Sequence, residues 1–229
     1  MPEKSKNDTA RSTGTWMTSR VRAAYDPDCT LCPRLATYLR ESHRRYPQYW
    51  CRPVAPFGDA APRILLVGLA PGLHGANRTG RPFTGDFAGI LLYRTLYELG
   101  LSTQAEGTAA DDGLKLKGVR ITNAVKCAPP QNKPTPQEIR CCNGYLQAEL
   151  EHLRGARVVV ALGRIAHEAV LAALGLKRSA FVFAHGREHA LAPARTLIDS
   201  YHCSRYNTQT GRLTPAMFKS VLARARALA

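Results

Sequence analysis

The chain has 229 residues, 45% of them hydrophobic, and a formal charge of +15 at pH 7. That apolar share suits one α/β domain with a substantial core and excludes a disordered chain, while the charge points to an anionic partner, nucleic acid first. No apolar run approaches the roughly 20 residues of a membrane span and the polar N-terminus lacks a signal-peptide core, so a soluble cytoplasmic protein with no membrane partner is expected.

Residues 1–20, rich in Ser, Thr, Lys and Arg, read as a flexible tail ahead of one domain over 21–229, and no internal repeat suggests a solenoid. Cys29 and Cys32 follow as a C-x-x-C pair. The run Arg63–Ala70 predicts a strand, and a long glycine-rich loop from Gly68 to Asp86 leads to a helix starting near Phe87. Glycines there let backbone approach a ligand, and Asn77, Arg78, Arg81 and Asp86 supply more polar groups than a turn needs. Ser102–Lys117 reads as a surface excursion without chemistry.

Val119–Val125 predicts the second strand, carrying Asn123 near its end and leading to Cys127. Thr135-Pro136-Gln137-Glu138 offers a cap, a proline at the first helical position and a capping-box glutamate; Cys141 and Cys142 lie on the helix that follows. Arg157–Gly163 and Arg195–His202 complete four strands, with a short hairpin expected between Phe181–Phe183 and Glu188–Leu191. Thr214-Pro215 starts a last helix whose Met217, Phe218, Val221, Leu222, Ala225 and Leu228 form a core stripe. Strands alternating with helices predict a largely parallel sheet covered on both faces, with ligands beyond the strands' carboxyl ends. Gly68–Ala70, Asn123 and Tyr201-His202 should therefore converge. From Ser200 onward there is no Asp or Glu, only Arg205, Arg212, Lys219, Arg224 and Arg226, which leaves a positive field at this end.

Seven cysteines in such a chain are not a disulfide framework. Cys29, Cys32, Cys127 and Cys142 form two pairs able to hold zinc or a [4Fe-4S] cluster, which spacing alone does not separate; buried free thiols are the remaining reading.

Gly68-Leu69-Ala70-Pro71 through Asn77-Arg78-Thr79-Gly80 to Phe83-Thr84-Gly85-Asp86, then Thr122–Cys127, the cysteine quartet, and Ser200-Tyr201-His202 leading into Asn207–Thr214 make the chain resemble the family 5 uracil-DNA glycosylases of bacteria and archaea. The resemblance covers almost everything after Ala24. It implies an α/β/α sandwich with a four-stranded, largely parallel central sheet, a [4Fe-4S] cluster on Cys29, Cys32, Cys127 and Cys142, and a monomer acting on DNA. It also implies a monofunctional glycosylase that flips out uracil, or other deaminated bases such as hypoxanthine and xanthine, and leaves an abasic site. The alternative is an iron-sulfur DNA-binding or damage-sensing protein without chemistry.

Under the resemblance, Gly68, Ala70, Pro71, Phe83 and Asn123 bind the base, with Phe83 stacking and the Asn123 amide matching the O4 and N3–H edge of uracil. Asp86 stabilises the oxocarbenium-like sugar and handles water, and His202 donates to O2. Asp86 is also a helix N-cap by position, and the two roles are compatible. Asn77, Arg78, Ser204, Arg205, Tyr206 and Asn207 contact DNA. Two departures stand out. Leu69 follows the first motif glycine, where many superfamily members carry an acidic or amide residue, and Cys203 replaces the usual proline after the motif histidine.

Overall fold

The computed structural model describes residues 24–191 and 194–229; the tail expected over 1–20 lies outside them. In chain order the elements are α1 (Pro33–Arg45), β1 (Phe57–Gly58), β2 (Ile64–Gly68), α2 (Ala76–Thr79), α3 (Phe87–Glu98), β3 (Val119–Asn123), α4 (Pro136–His152), β4 (Val158–Leu162), α5 (Arg164–Ala173), β5 (Glu188–Leu191), β6 (Arg195–Ser200), α6 (Arg205–Gln209) and α7 (Pro215–Leu228). β2 and β4 consist of apolar residues and glycine alone and are buried along their whole length. Because alternate side chains point to opposite faces, such strands must lie inside a sheet covered twice.

Among the described residues six strands form one mixed sheet in the order β1-β3-β2-β4-β6-β5. The inner four, β3, β2, β4 and β6, run parallel. The expected four-stranded sheet is corrected at its edges, where β1 joins antiparallel to β3 and β5 antiparallel to β6. β1 has only two residues, and its Gly58 has no room for a side chain, since a Cβ would fall 2.4 Å from the Val119 carbonyl oxygen. The expected hairpin is corrected too. Glu188–Leu191 pairs with Arg195–Ile198, not with Phe181–Phe183. The edge of β6 offers unpaired backbone groups to β5, whereas the Phe181 carbonyl accepts from His167 Nε2 at 2.9 Å.

Successive residues of β2 serve two cores. Leu66 packs with Leu92 and Leu96 of α3 and Phe218 and Leu222 of α7. Leu65 and Val67 pack with Leu146 of α4 and Ala169 and Val170 of α5. Each such buried valine, leucine or phenylalanine contributes about 1.5–3 kcal/mol of transfer free energy.

Caps set where the helices begin. Thr135 Oγ1 accepts from Glu138 N at 3.2 Å and Glu138 Oε2 accepts from Thr135 N at 2.7 Å, the reciprocal capping box of α4. Arg34 of α1 donates to both Glu138 carboxylate oxygens at 2.8 and 2.7 Å, tying α1 to the start of α4. Cys32, the residue before α1, is thereby carried toward Cys141 and Cys142.

Candidate active site

The parallel register pairs Gly68 with Asn123 at the carboxyl ends of β2 and β3, and Ala124 N and Val125 N extend the ladder onto the Gly68 and Leu69 carbonyls at 2.9 and 3.0 Å. β6, beyond β4, ends on the same side of the sheet and the chain after it delivers His202. A methyl on Gly68 would lie 2.4 Å from Asn123 Oδ1 and 2.7 Å from Phe83 Cζ, so only glycine lets this amide and this ring meet at the strand end. Phe83 holds φ at +53°, unusual for a residue with a Cβ, and its ring stacks on the His202 imidazole at 5.9 Å and 26°. Asn123 is buried and its Oδ1 has no hydrogen-bond partner. The three predicted points do converge.

Ala70 and His202 border a cleft of about 1290 Å³ whose walls also include Leu69, Asp86, Asn132 and Arg205; Phe83, which stacks on His202, and Asn123, against Gly68, lie just behind that wall. Asp86 caps α3, its Oδ1 accepting from Gly89 N at 2.9 Å. Its Oδ2 lies against bare backbone, since a Cβ on Gly75 would come within 2.4 Å of it. One oxygen thus anchors the carboxylate while the other borders the cleft. Burial raises the Asp86 pKa above the usual carboxylate value, opposed by the backbone N–H groups of Gly89 and Ala88. Burial also pushes His202 down to about 4, leaving a neutral imidazole with one N–H at neutral pH.

The cysteines gather at a second place. Cys29, Cys32, Cys127, Cys141 and Cys142 line one small cavity with Leu35, Val125 and Tyr145. Burial, with neighbouring thiols adding to it, lifts Cys32 to about 12. Burial also lifts Cys142 to about 11, opposed by Lys126, whose backbone N–H donates to Cys142 Sγ at 3.2 Å. Cys141 instead points its thiol at the Leu31 carbonyl, 3.7 Å away. Among the described residues no three of these sulfurs lie within 4.8 Å of one another; the one set of three donor residues that does is His167, His189 and Asp199. Its atoms are spent on each other and on backbone. Asp199 takes His167 Nδ1 at 2.7 Å and His189 Nε2 at 2.9 Å, while His167 Nε2 is bonded to the Phe181 carbonyl.

The family profile of the uracil DNA glycosylase superfamily matches residues 55–226. The type-5 uracil-DNA glycosylase of Thermus thermophilus is 55% identical over 207 residues, 88% of this chain and 94% of that protein. The type-5 enzyme of Pyrobaculum aerophilum is 47% identical over 204 residues, 87% and 88% of the two chains. That of Mycobacterium bovis is 41% identical over 212 residues, 88% and 78%. The chain belongs to the type-5 uracil-DNA glycosylases.

Around the cleft the rim residues differ in how free they are. Arg78 and Arg205 line the cleft, Arg78 Nε donating to the His74 carbonyl at 2.9 Å and the Arg205 guanidinium lying 5.1 Å from the Phe87 ring. Tyr206 projects from α6 and is 72% exposed. Ser204 caps α6 through Asn207 N at 3.4 Å, and Asn207 Nδ2 donates to the His202 carbonyl at 2.8 Å. These two side chains brace the segment that Cys203 enters without a proline. Cys203 itself is fully buried in the core with Leu213 and Phe218. Asn77 is a correction. It is fully buried, with Nδ2 on Cys51 Sγ at 3.4 Å, so its side chain does not reach a DNA surface.

Sequence reasoning missed Asn132 and the trio Glu106, Gly107 and Thr108, all of which line the cleft. Asn132 follows Gln131 in a turn where both have positive φ, a conformation asparagine tolerates, and that was its only local signal. The other three sit on the Ser102–Lys117 excursion, whose composition carries no sign of chemistry.

Proposed function

We propose that this chain excises uracil from DNA by hydrolysing the N-glycosidic bond and leaves an abasic site, with hypoxanthine and xanthine as further substrates. The supporting observation is the Asn123 amide, buried, unpartnered at Oδ1 and set against the edge of Phe83 where only a glycine fits. A buried acceptor without a partner costs about 1–3 kcal/mol, and a flipped uracil would relieve that cost by giving its N3–H to Oδ1 while O4 takes the amide N–H. Phe83 would provide the stacking face. As the N1–C1′ bond breaks, the bonding electrons move onto the base, and the neutral His202 donates to the O2 that carries the charge. The Oδ2 of Asp86 faces the electron-poor sugar, orients water toward C1′ and takes its proton. Arg78, Arg205, Tyr206 and the Ser204 turn would hold the strand on either side of the flipped nucleotide.

Cys29, Cys32, Cys127 and Cys142 would hold a [4Fe-4S] cluster. The gathering of these cysteines in one small cavity, with the resemblance to cluster-bearing relatives, supports this reading. The buried thiols resist ionising alone, the setting in which a bound cation centre stabilises them. When bound, the cluster would cross-link α1, the segment after β3 and α4; its role in this reading is architectural.

The test is base release from duplexes carrying uracil, hypoxanthine, xanthine or no damage, followed by alkaline cleavage. Strand breaks at uracil and not at thymine are expected. A protein that binds these duplexes without releasing any base would favour a damage-sensing role instead.

A further inference from the structure

We propose that Arg81 and Asp112 form a positioning pair that fixes the stacking face of Phe83 and seats the 103–114 loop as a wall of the cleft. This rests on the excision reading above and adds to it residues that never touch the base. Arg81 is 3% exposed, and its Nη1 and Nη2 donate to Asp112 Oδ1 and Oδ2 at 2.7 and 2.6 Å. Its Nε donates to Thr84 Oγ1 at 2.8 Å, and its guanidinium lies 4.8 Å from the Phe57 ring and 5.8 Å from that of Tyr93. Behind Phe83, the Tyr93 hydroxyl donates to the Pro82 carbonyl at 2.8 Å, and Thr84 Oγ1 donates to the same oxygen at 3.2 Å. The residues on both sides of Phe83 are therefore tied into one buried network.

That matters because Phe83 sits at φ +53° and keeps this conformation only if its surroundings over-determine it. The far end of the network organises a loop. Asp112 also accepts from Thr108 N, Ala109 N and Leu114 N at 2.8, 3.3 and 3.0 Å, which, together with Arg81, holds its carboxyl well below the usual range. Gly107 lies directly on the network, because a Cβ there would come within 2.7 Å of Tyr93 and 2.8 Å of Arg81. Glu106, Gly107 and Thr108 are thereby placed along the cleft. A buried ion pair is weak evidence of stabilisation, since apolar residues can fill the same volume, but its fixed fork geometry specifies one arrangement. Here that arrangement joins the residues flanking Phe83 to the loop that borders the cleft.

The experiment uses the full chain with Arg81→Lys, Asp112→Asn and Tyr93→Phe, the last keeping volume if a charge variant folds poorly. Two readouts are taken: the single-turnover rate on a uracil duplex, and Kd for a duplex with non-cleavable 2′-fluoro-2′-deoxyuridine against one with an abasic analogue. Misplacing Phe83 should slow the rate about tenfold or more in the two charge variants, with a smaller loss for Tyr93→Phe. It should weaken the uracil-analogue duplex by about tenfold while moving the abasic duplex less than about twofold. In a Phe83→Leu background the same substitutions should cost less than about twofold, because the ring they position is gone. Folded variants with rates and both Kd values within twofold of the parent would overturn the pair, as would equal losses with and without Phe83. A parent protein that releases no uracil would fail the excision reading instead, and the ratio of the two Kd values would still judge the pair.

Discussion

The cleft and the cysteine cavity stand at the same end of the sheet and share a wall, since Ala70 borders the cleft and packs against the cysteine cluster. They put burial to opposite uses. At the cleft wall and just behind it, burial leaves groups neutral and short of partners: His202 is pushed down to about 4, and Asn123 Oδ1 is bonded to nothing. In the cysteine cavity it gathers thiols from three segments behind Leu35, Val125 and Tyr145, so that Cys32, Cys127 and Cys142 are costly to ionise singly. Unpartnered atoms beside an open cleft suit a ligand that arrives and leaves. Enclosed donors suit a group that stays.

The largest effect expected on this contrast is at Asp86. Asp86→Asn keeps a side chain able to cap α3 and removes the anion, so the single-turnover rate should fall about 10²–10⁴-fold with little change in melting temperature. A loss under tenfold would reduce Asp86 to its capping role.

On the other side of Ala70, Cys142→Ser should strip iron and its visible absorbance from the purified protein and lower its melting temperature, whereas Cys51→Ala should leave iron content unchanged. Equal iron in both variants would remove Cys142 from the ligand set.

A smaller effect comes from His202. Its folded value of about 4 lies below the roughly 6.5 of an unfolded histidine, so below pH 6.5 the unfolded chain binds a proton that the native chain refuses. Stability from this residue is present above pH 6.5 and declines as pH falls toward 4, by up to about 3 kcal/mol. Urea unfolding at pH 7 and 4.5 should show that loss in the parent and a reduced loss in His202→Gln; identical pH dependence would place His202 in a wetter setting.

The inner sheet was legible because β2 and β4 are uninterrupted apolar runs and because Thr135 and Thr214 announce their helices by capping chemistry. β1 was not, being two residues long, and β5 was matched to the wrong partner because edge pairing depends on what the sheet leaves open. At the site, Gly68, Phe83, Asp86, Asn123 and His202 belong to motifs dense in informative residue types, and the strand ends bring them together. Asn77 looked like a surface residue of a polar loop, yet the short helix α2 turns it inward. Asp112 gave no local sign of its role, since its partner Arg81 is 31 residues away and only the folded loop joins them.

The most direct measurement is single-turnover release of uracil from a duplex by the parent chain and by Asn123→Ala. If the unpartnered amide reads the base, the parent should produce an alkali-labile site at uracil, and Asn123→Ala should be slower by about a hundredfold or more, for lost hydrogen bonds worth about 3 kcal/mol. Undiminished release by a folded Asn123→Ala protein would contradict that assignment.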